Sequence, residues 1–197
     1  MQKADRDTTA LCVLGLLKTG PRHTYEMHLM IERTHKTFVT GLPRSIYHAA
    51  ERLLAAGHIR PAATTRDGLR PERTVYQLTE AGERRLRDWV RLLLAEPDPN
   101  STLFVAALTF AGVLTPGEVA AALRERRAEL ARREKAAIAV PPELPRILVL
   151  EAEYEVVRLR AEGEWVGRLI DDLATGVLDW PAQLADLADI EALIKED

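Results

Sequence analysis

The sequence is poor in cysteine, in aromatic residues and in long apolar runs, and each shortage excludes something. A single cysteine, Cys12, cannot close an internal disulfide, which fits a reducing compartment. Aromatic residues make up 5% of the 197 positions, too few for a β-sandwich or barrel core. The longest apolar stretch, Leu103 to Leu114, is broken by Thr109 and Gly112 and is too short to span a bilayer. The charged start, Lys3-Ala4-Asp5-Arg6-Asp7, does not read as a signal peptide, so a cytoplasmic protein is expected. Phosphate-cradling glycine loops and Gly-x-Ser-x-Gly elbows are missing, which argues against an enzyme.

What is abundant is Ala, Leu, Glu and Arg, a helix-forming mixture with 47% apolar content. The net charge of -3 conceals a division: residues 1–96 carry 16 Lys+Arg against 11 Asp+Glu, and residues 97–197 carry 11 against 19. All five histidines lie in the first half. A basic half joined to an acidic half is the pattern of a nucleic-acid-binding module attached to a non-binding one. Chance segregation of surface charge is the alternative.

Leu11, Val13, Leu14, Leu16 and Leu17 read as a buried helix over residues 8–18, stopped by Gly20-Pro21, with Cys12 a small core residue. A second helix is predicted from His23 or Thr24 to about Thr37, with Met27 and Ile31 inward and Tyr25 and Met30 as further inward candidates. A third follows Pro43, its inner stripe Ile46, Ala50, Leu53 and Leu54, closing at Gly57. The other face of that helix holds Arg44, Ser45, Tyr47, His48, Glu51 and Arg52. Arginine can pair with a guanine edge in two-pronged fashion, and hydroxyls serve phosphates or bases. From this stripe alone, a recognition surface and an ordinary solvated face are equally open.

Ile59 to Ala63 and Thr74 to Leu78 read as two strands joined through Asp67-Gly68, with Pro61 tolerable only at a sheet edge. Arg66, Arg70 and Arg73 cluster at the tip, where such loops commonly reach a phosphate or the minor groove. Thr79 then caps a helix to about Glu96 with Leu86, Trp89 or Val90, and Leu93 inside. Helix, arginine-tipped hairpin and helix in this order make a winged helix-turn-helix.

Pro97-Asp98-Pro99-Asn100-Ser101 is the clearest boundary. It divides a DNA-binding domain over residues 1–96 from a helical dimerisation and effector domain over residues 101–197. The whole is expected to be mainly α with a small β-hairpin wing. Thr115-Pro116-Gly117-Glu118 has the order of a capping box and opens a charged helix to about Ile138. From Arg146 to about Thr175, Ile147, Leu150, Tyr154, Val157 and Ala161 form a seam at alternating three- and four-residue spacing. Such a seam usually marks association of two chains. Trp180-Pro181 opens a short acidic amphipathic tail holding Leu184, Leu187, Ile190 and Ile194.

The segments Leu14-Gly15-Leu16-Leu17, Tyr25-Glu26, Ser45-Ile46-Tyr47, Arg52-Leu53 and Gly57-His58-Ile59, followed by Val75-Tyr76-Gln77-Leu78-Thr79-Glu80-Ala81-Gly82, occur in an order that resembles the PadR-type transcriptional regulators. Leu114-Thr115-Pro116-Gly117-Glu118 leading into an Arg/Glu-rich helix and then a long one resembles the longer subgroup. The resemblance implies a homodimeric bacterial repressor whose paired winged helices read palindromic double-stranded DNA and whose C-terminal helices join the subunits. It also implies ligands that are small aromatic or planar compounds. His23-Thr24-Tyr25 stands where the family usually has His-Gly-Tyr; Thr24 and Tyr25 join the DNA-binding candidates. Some short members use a Trp for the ligand pore. Aromatic side chains for such an effector are Trp89, Phe104, Tyr154 and Trp165, with plain core as the alternative. No cofactor and no metal site are expected: His28, Glu32 and His35 share a helix face but read as ordinary exposed polar residues. The competing reading is a winged-helix module that binds only protein partners.

Overall fold

In the computed structural model the described residues are 3–34, 38–39, 43–65, 73–139, 143–178 and 180. Helix α1 (Thr8–Lys18) begins where Asp7 accepts a hydrogen bond from the Ala10 amide at 3.0 Å. Every residue from Ala10 to Leu17 is buried, so α1 is the central rod of the structure rather than an amphipathic surface helix. It packs against α3 (Arg44–Ala55), α4 (Glu80–Ala95) and α5 (Ser101–Thr109). Gly15 gives Phe110 room to lie against α1, since a side chain at that position would occupy the ring's place.

Three strands form one antiparallel sheet in the order β1 (Arg22–His23), β3 (Arg73–Leu78), β2 (Ile59–Thr65). Strand β2 is an edge strand and carries Pro61, whose missing amide donor costs nothing there; the register slips between Pro61 and Ala63. The hairpin was expected from the sequence. Strand β1 was not, because two residues, Arg22 opposite Tyr76 and His23 opposite Val75, leave no alternating pattern to read.

Helix α2 spans Thr24–Arg33, and residues 35–37, to which the sequence pattern extends it, lie outside the described residues. The Thr34 hydroxyl donates to the Met30 carbonyl at 2.6 Å. Helix α3 presents Ile46, Ala49, Ala50 and Leu53 to the core, and Gly57 closes it with φ 73°, a left-handed conformation suited to glycine. Leu54, expected inside, is exposed: the buried stripe runs through Ala49 instead.

Thr79 caps α4 by accepting from the Gly82 amide at 3.1 Å. Helix α6 (Pro116–Ile138) opens with the expected reciprocal box, Glu118 N to Thr115 Oγ1 at 3.3 Å and Thr115 N to Glu118 Oε2 at 2.7 Å. The Thr115 amide, and after it the Thr115 hydroxyl donating to the same oxygen at 2.9 Å, hold the Glu118 carboxyl below the usual range. Helix α7 (Leu150–Thr175) folds back along α6, with Arg160 bonded to Glu134 at 2.5 Å and Arg126 to Glu162 at 2.7 Å. Gly176 ends α7 at φ 69°. Core residues of both halves belong to one contiguous cluster, in which Trp89, Leu93 and Leu94 of α4 are shared with Leu103, Val119 and Leu123 across the Pro97–Ser101 boundary.

No helix among the described residues is long and apolar enough to cross a membrane. Cys12 is buried in α1 as expected. Leu184, Leu187, Ile190 and Ile194 lie outside the described residues.

Candidate nucleic-acid interface

Helix α2 begins with a histidine in the role usually held by Ser or Thr. His23 Nδ1 accepts from the Tyr25 amide at 3.1 Å while Glu26 accepts from the His23 amide at 2.9 Å. This fixes the first turn of α2, where Thr24 is buried and Tyr25 is 53% exposed. The Tyr25 ring stands 6.1 Å from the His28 ring.

On α3 the stripe read from the sequence is realised in part. Arg44, Tyr47, His48 and Arg52 are exposed on the face opposite Ile46, Ala50 and Leu53, with Tyr47 at 45%. Ser45 is half-buried and its hydroxyl oxygen is enclosed without a partner among the described residues. His48 Nδ1 lies 3.3 Å from Glu51 Oε2. Arg44 and Arg52, eight residues apart, stand about 12 Å from each other along the axis. Arg52 turns toward α1 and pairs with Asp7 at 2.5 Å. The exposed set at the N-terminal end of the pair of helices is therefore Arg44, Tyr47 and His48, with Tyr25 contributed by α2. Arg73 opens β3, whereas Arg66 and Arg70 fall outside the described residues.

At the base of the wing, burial and then the nearby Arg85 charge push the His58 imidazole below the ordinary histidine range. A lowered folded-state value means that stability is complete above about pH 6.5 and declines as the pH falls through that lower value.

The four aromatic candidates for an effector site do not form one lining. Phe104 and Trp165 meet edge to face at 6.1 Å. Trp89 is buried elsewhere, its indole N–H donating to the Asp5 carbonyl at 2.7 Å and Arg85 lying 4.4 Å over the ring. Tyr154, 69% exposed, sits eleven residues before Trp165, about 16 Å along α7. Among the described residues no ring contact joins Trp89 or Tyr154 to the Phe104–Trp165 pair. The seam residues Ile147 (72% exposed), Leu150, Tyr154, Val157 and Ala161 are all exposed on the outer side of the α6–α7 hairpin.

Sequence reasoning missed the ion pairs around the N-terminal 3-10 turn Lys3–Arg6: Arg85 to Asp5 at 2.8 Å, Arg6 to Asp98 at 2.7 Å and Arg52 to Asp7. It also missed the burial of Arg126. Neither has a local signal, because the partners are 45 to 92 residues apart or, for Arg126, on another helix. His28 Nε2 lies 3.5 Å from Glu32, His35 is outside the described residues, and no group of three or more metal-ligating side chains gathers among the described ones.

A central buried helix, the helix pair α2–α3 and a three-stranded wing define a winged helix-turn-helix fold, mainly α, with a C-terminal helical hairpin. Residues 13–88 match the model of the transcriptional regulator PadR-like family. Similar solved structures include Bacillus subtilis PadR in complex with operator DNA, at 20% identity, covering 83% of this chain and 98% of that one with a TM-score of 0.41. Bacillus subtilis PadR in complex with p-coumaric acid is 17% identical over 85% of this chain and 99% of that one, with a TM-score of 0.39. The protein smu.1604c from Streptococcus mutans UA159 is 19% identical, covers 85% and 98% of the two chains, and has a TM-score of 0.38. No curated relative matches the sequence.

Proposed function

We propose that the chain is a cytoplasmic, homodimeric transcriptional repressor that binds palindromic double-stranded DNA and is released from it by a small aromatic effector. The observation that carries the DNA-binding part is the exposed set Arg44, Tyr47, His48 and Tyr25 on two helices fixed by a winged frame, within the more basic half of the chain. Arg44 is the residue for a base edge, and the arginines of the wing, Arg66, Arg70 and Arg73, are for phosphates. Two winged helices on one duplex would meet half-sites about one helical turn apart, roughly 34 Å.

Gel-shift against a site selected from random DNA tests this reading. Arg44→Ala should weaken binding to that site by about 1–3 kcal/mol and relax its sequence preference. Arg70→Ala should weaken binding to all sequences and flatten the salt slope by about one unit. Parent-like binding by both variants at two salt concentrations would remove the assignment, and failure to select any site would favour a protein-binding module.

The dimer part rests on the exposed seam Ile147, Leu150, Tyr154 and Val157, flanked by an apolar groove of about 290 Å³ between Ile138, Val149 and Val156. Leu150→Glu would place an unpaired charge in that interface. Sedimentation should then show association weakened tenfold or more with the circular dichroism spectrum unchanged, and a variant that remains dimeric would move the interface elsewhere.

A further inference from the structure

Three consecutive residues ahead of α1 each pair with a different part of the chain. The Asp5 carboxylate accepts from Arg85 of α4 at 2.8 Å, and the Asp5 carbonyl accepts from the Trp89 indole at 2.7 Å. Arg6 donates to Asp98 at 2.7 Å, and Asp98 also accepts at 2.9 Å from the amide of Asn100, the cap of α5. Asp7 accepts from the Ala10 amide through one oxygen and from Arg52 of α3 through the other. The N-terminal turn thus fastens α4, the Pro97–Ser101 boundary and α3 to the start of α1.

Two of these anchors are stiff for a physical reason. Asp5 and Asp98 are 7% and 9% exposed, and a buried carboxylate is costly to leave unpaired. Asp7 follows them directly and is held in place as the cap of α1, so its carboxylate has little freedom. The Arg52 side chain, in contrast, is 57% exposed, and an ion pair of that kind contributes little to stability. What the pair supplies is a direction. One carboxylate joins the first turn of α1 to the last turn of α3, and the middle of α3 is pinned in the core by Ala49 and Ala50. A displacement of Arg52 about that pivot returns with similar size and opposite sense at Arg44 and Tyr47. Base contacts tolerate shifts of only about 0.5 Å.

We propose that Asp7 is a positioning residue for DNA recognition: through Arg52 it sets the tilt at which α3 presents Arg44 and Tyr47, and Arg52 itself does not touch DNA. The proposal deepens the DNA-binding reading above and rests on it. It also runs against simple electrostatics. DNA is a polyanion, so removing a carboxylate from the basic half should strengthen binding to every sequence. A positioning carboxylate gives the opposite sign, and for the selected site alone.

Fluorescence anisotropy of the full-length protein with its selected site and with a random duplex, at two salt concentrations, tests this. Asp7→Asn leaves α1 an equally good cap and removes the charge. It should weaken the selected site about threefold or more and leave the random duplex within about twofold of the parent. Arg52→Gln should do the same with an unchanged salt slope, and Arg52→Lys should regain most of the affinity. The double variant Asp7→Asn/Arg52→Gln should be no weaker than either single one, because both break the same link. Selected-site binding by Asp7→Asn as tight as the parent's or tighter would overturn the proposal. So would an equal loss on both duplexes, the mark of a merely structural role, or a salt slope lowered by about one in Arg52→Gln, the mark of a phosphate contact. Amide exchange without DNA separates this from the regulator reading. Asp7→Asn should speed exchange over residues 52–55 about threefold or more, and parent-like exchange there would overturn the link between α1 and α3. If exchange speeds up while the parent binds no duplex, the DNA-binding reading falls, and the positioning role falls with it.

Discussion

Gly82→Ala should leave the N-terminal part of the chain unable to fold stably, with a loss of about 3 kcal/mol or more. Gly82 lies in the first turn of α4, where its amide donates to the capping oxygen of Thr79. A Cβ there would overlap the backbone carbonyl oxygen of His58. That carbonyl cannot step aside, because it accepts from both the Thr79 amide and the Thr79 hydroxyl at 3.1 Å. Relieving the overlap means separating α4 from the start of β2, which dismantles the junction between wing and core. Gly163→Ala in α7 is the matched control: nothing stands within contact distance of its added methyl, so helix propensity should raise stability by about 0.5–1 kcal/mol. Urea denaturation of the two variants reads both signs. A Gly82→Ala protein within about 1 kcal/mol of the parent would contradict the packing described here.

Glu162→Leu should cost about 3 kcal/mol, more than Arg126→Met. Arg126 is 2% exposed, and its guanidinium does three things at once. It donates to Glu162 at 2.7 Å, donates to the Leu93 and Glu96 carbonyls at 3.1 and 3.2 Å, and lies 3.6 Å over the Phe104 ring. The carbonyls belong to the last turn of α4, where no intrahelical donor remains and the helix dipole is negative. Burial pulls the Arg126 pKa below its usual value, and the Glu162 carboxylate opposes that shift. Deleting Glu162 leaves a buried cation short of its counter-charge, a change that ordinarily costs about 3–5 kcal/mol. Water reaching the 18%-exposed Glu162 side chain keeps the figure at the low end. Deleting Arg126 instead leaves Glu162 with Arg158 at 3.4 Å, and the main loss is two carbonyl acceptors, about 1–3 kcal/mol. The double variant Arg126→Met/Glu162→Leu should recover much of the loss. Chemical denaturation of the three proteins gives the order, and a Glu162→Leu protein more stable than Arg126→Met would reverse the account.

Much of the fold was written in local pattern. The unbroken apolar stretch Leu11–Leu17 before Gly20-Pro21, the Thr115–Glu118 box and Gly57 after Leu53 each fix an element by period or cap within one or two turns of chain. The wing was legible because the Asp67-Gly68 turn signal is followed by Thr74–Leu78, a segment of β-branched and aromatic residues. The exposed face of α3 was legible too, since Ile46, Ala50 and Leu53 repeat at helical spacing and leave Arg44, Tyr47 and His48 outside.

What the sequence did not determine is where long side chains find partners. Arg52 reads as one more cation on the recognition face until Asp7, 45 residues earlier, turns it toward α1. Arg126 reads as solvated on a charged helix until α7 supplies Glu162 and α4 supplies two carbonyls. Trp89, Phe104, Tyr154 and Trp165 share a chemistry in the sequence but occupy three places in the structure. Leu54 falls outside because a helical period names the faces of a helix, and only the neighbouring elements decide how wide a stripe is covered. Composition and spacing determined that this chain is a winged helix with a helical hairpin, because those signals act over a few residues. Tertiary packing alone decided which charges are buried and that Arg6, Arg52 and Arg85 gather beside α3, because those depend on residues 45 to 92 positions apart in the chain.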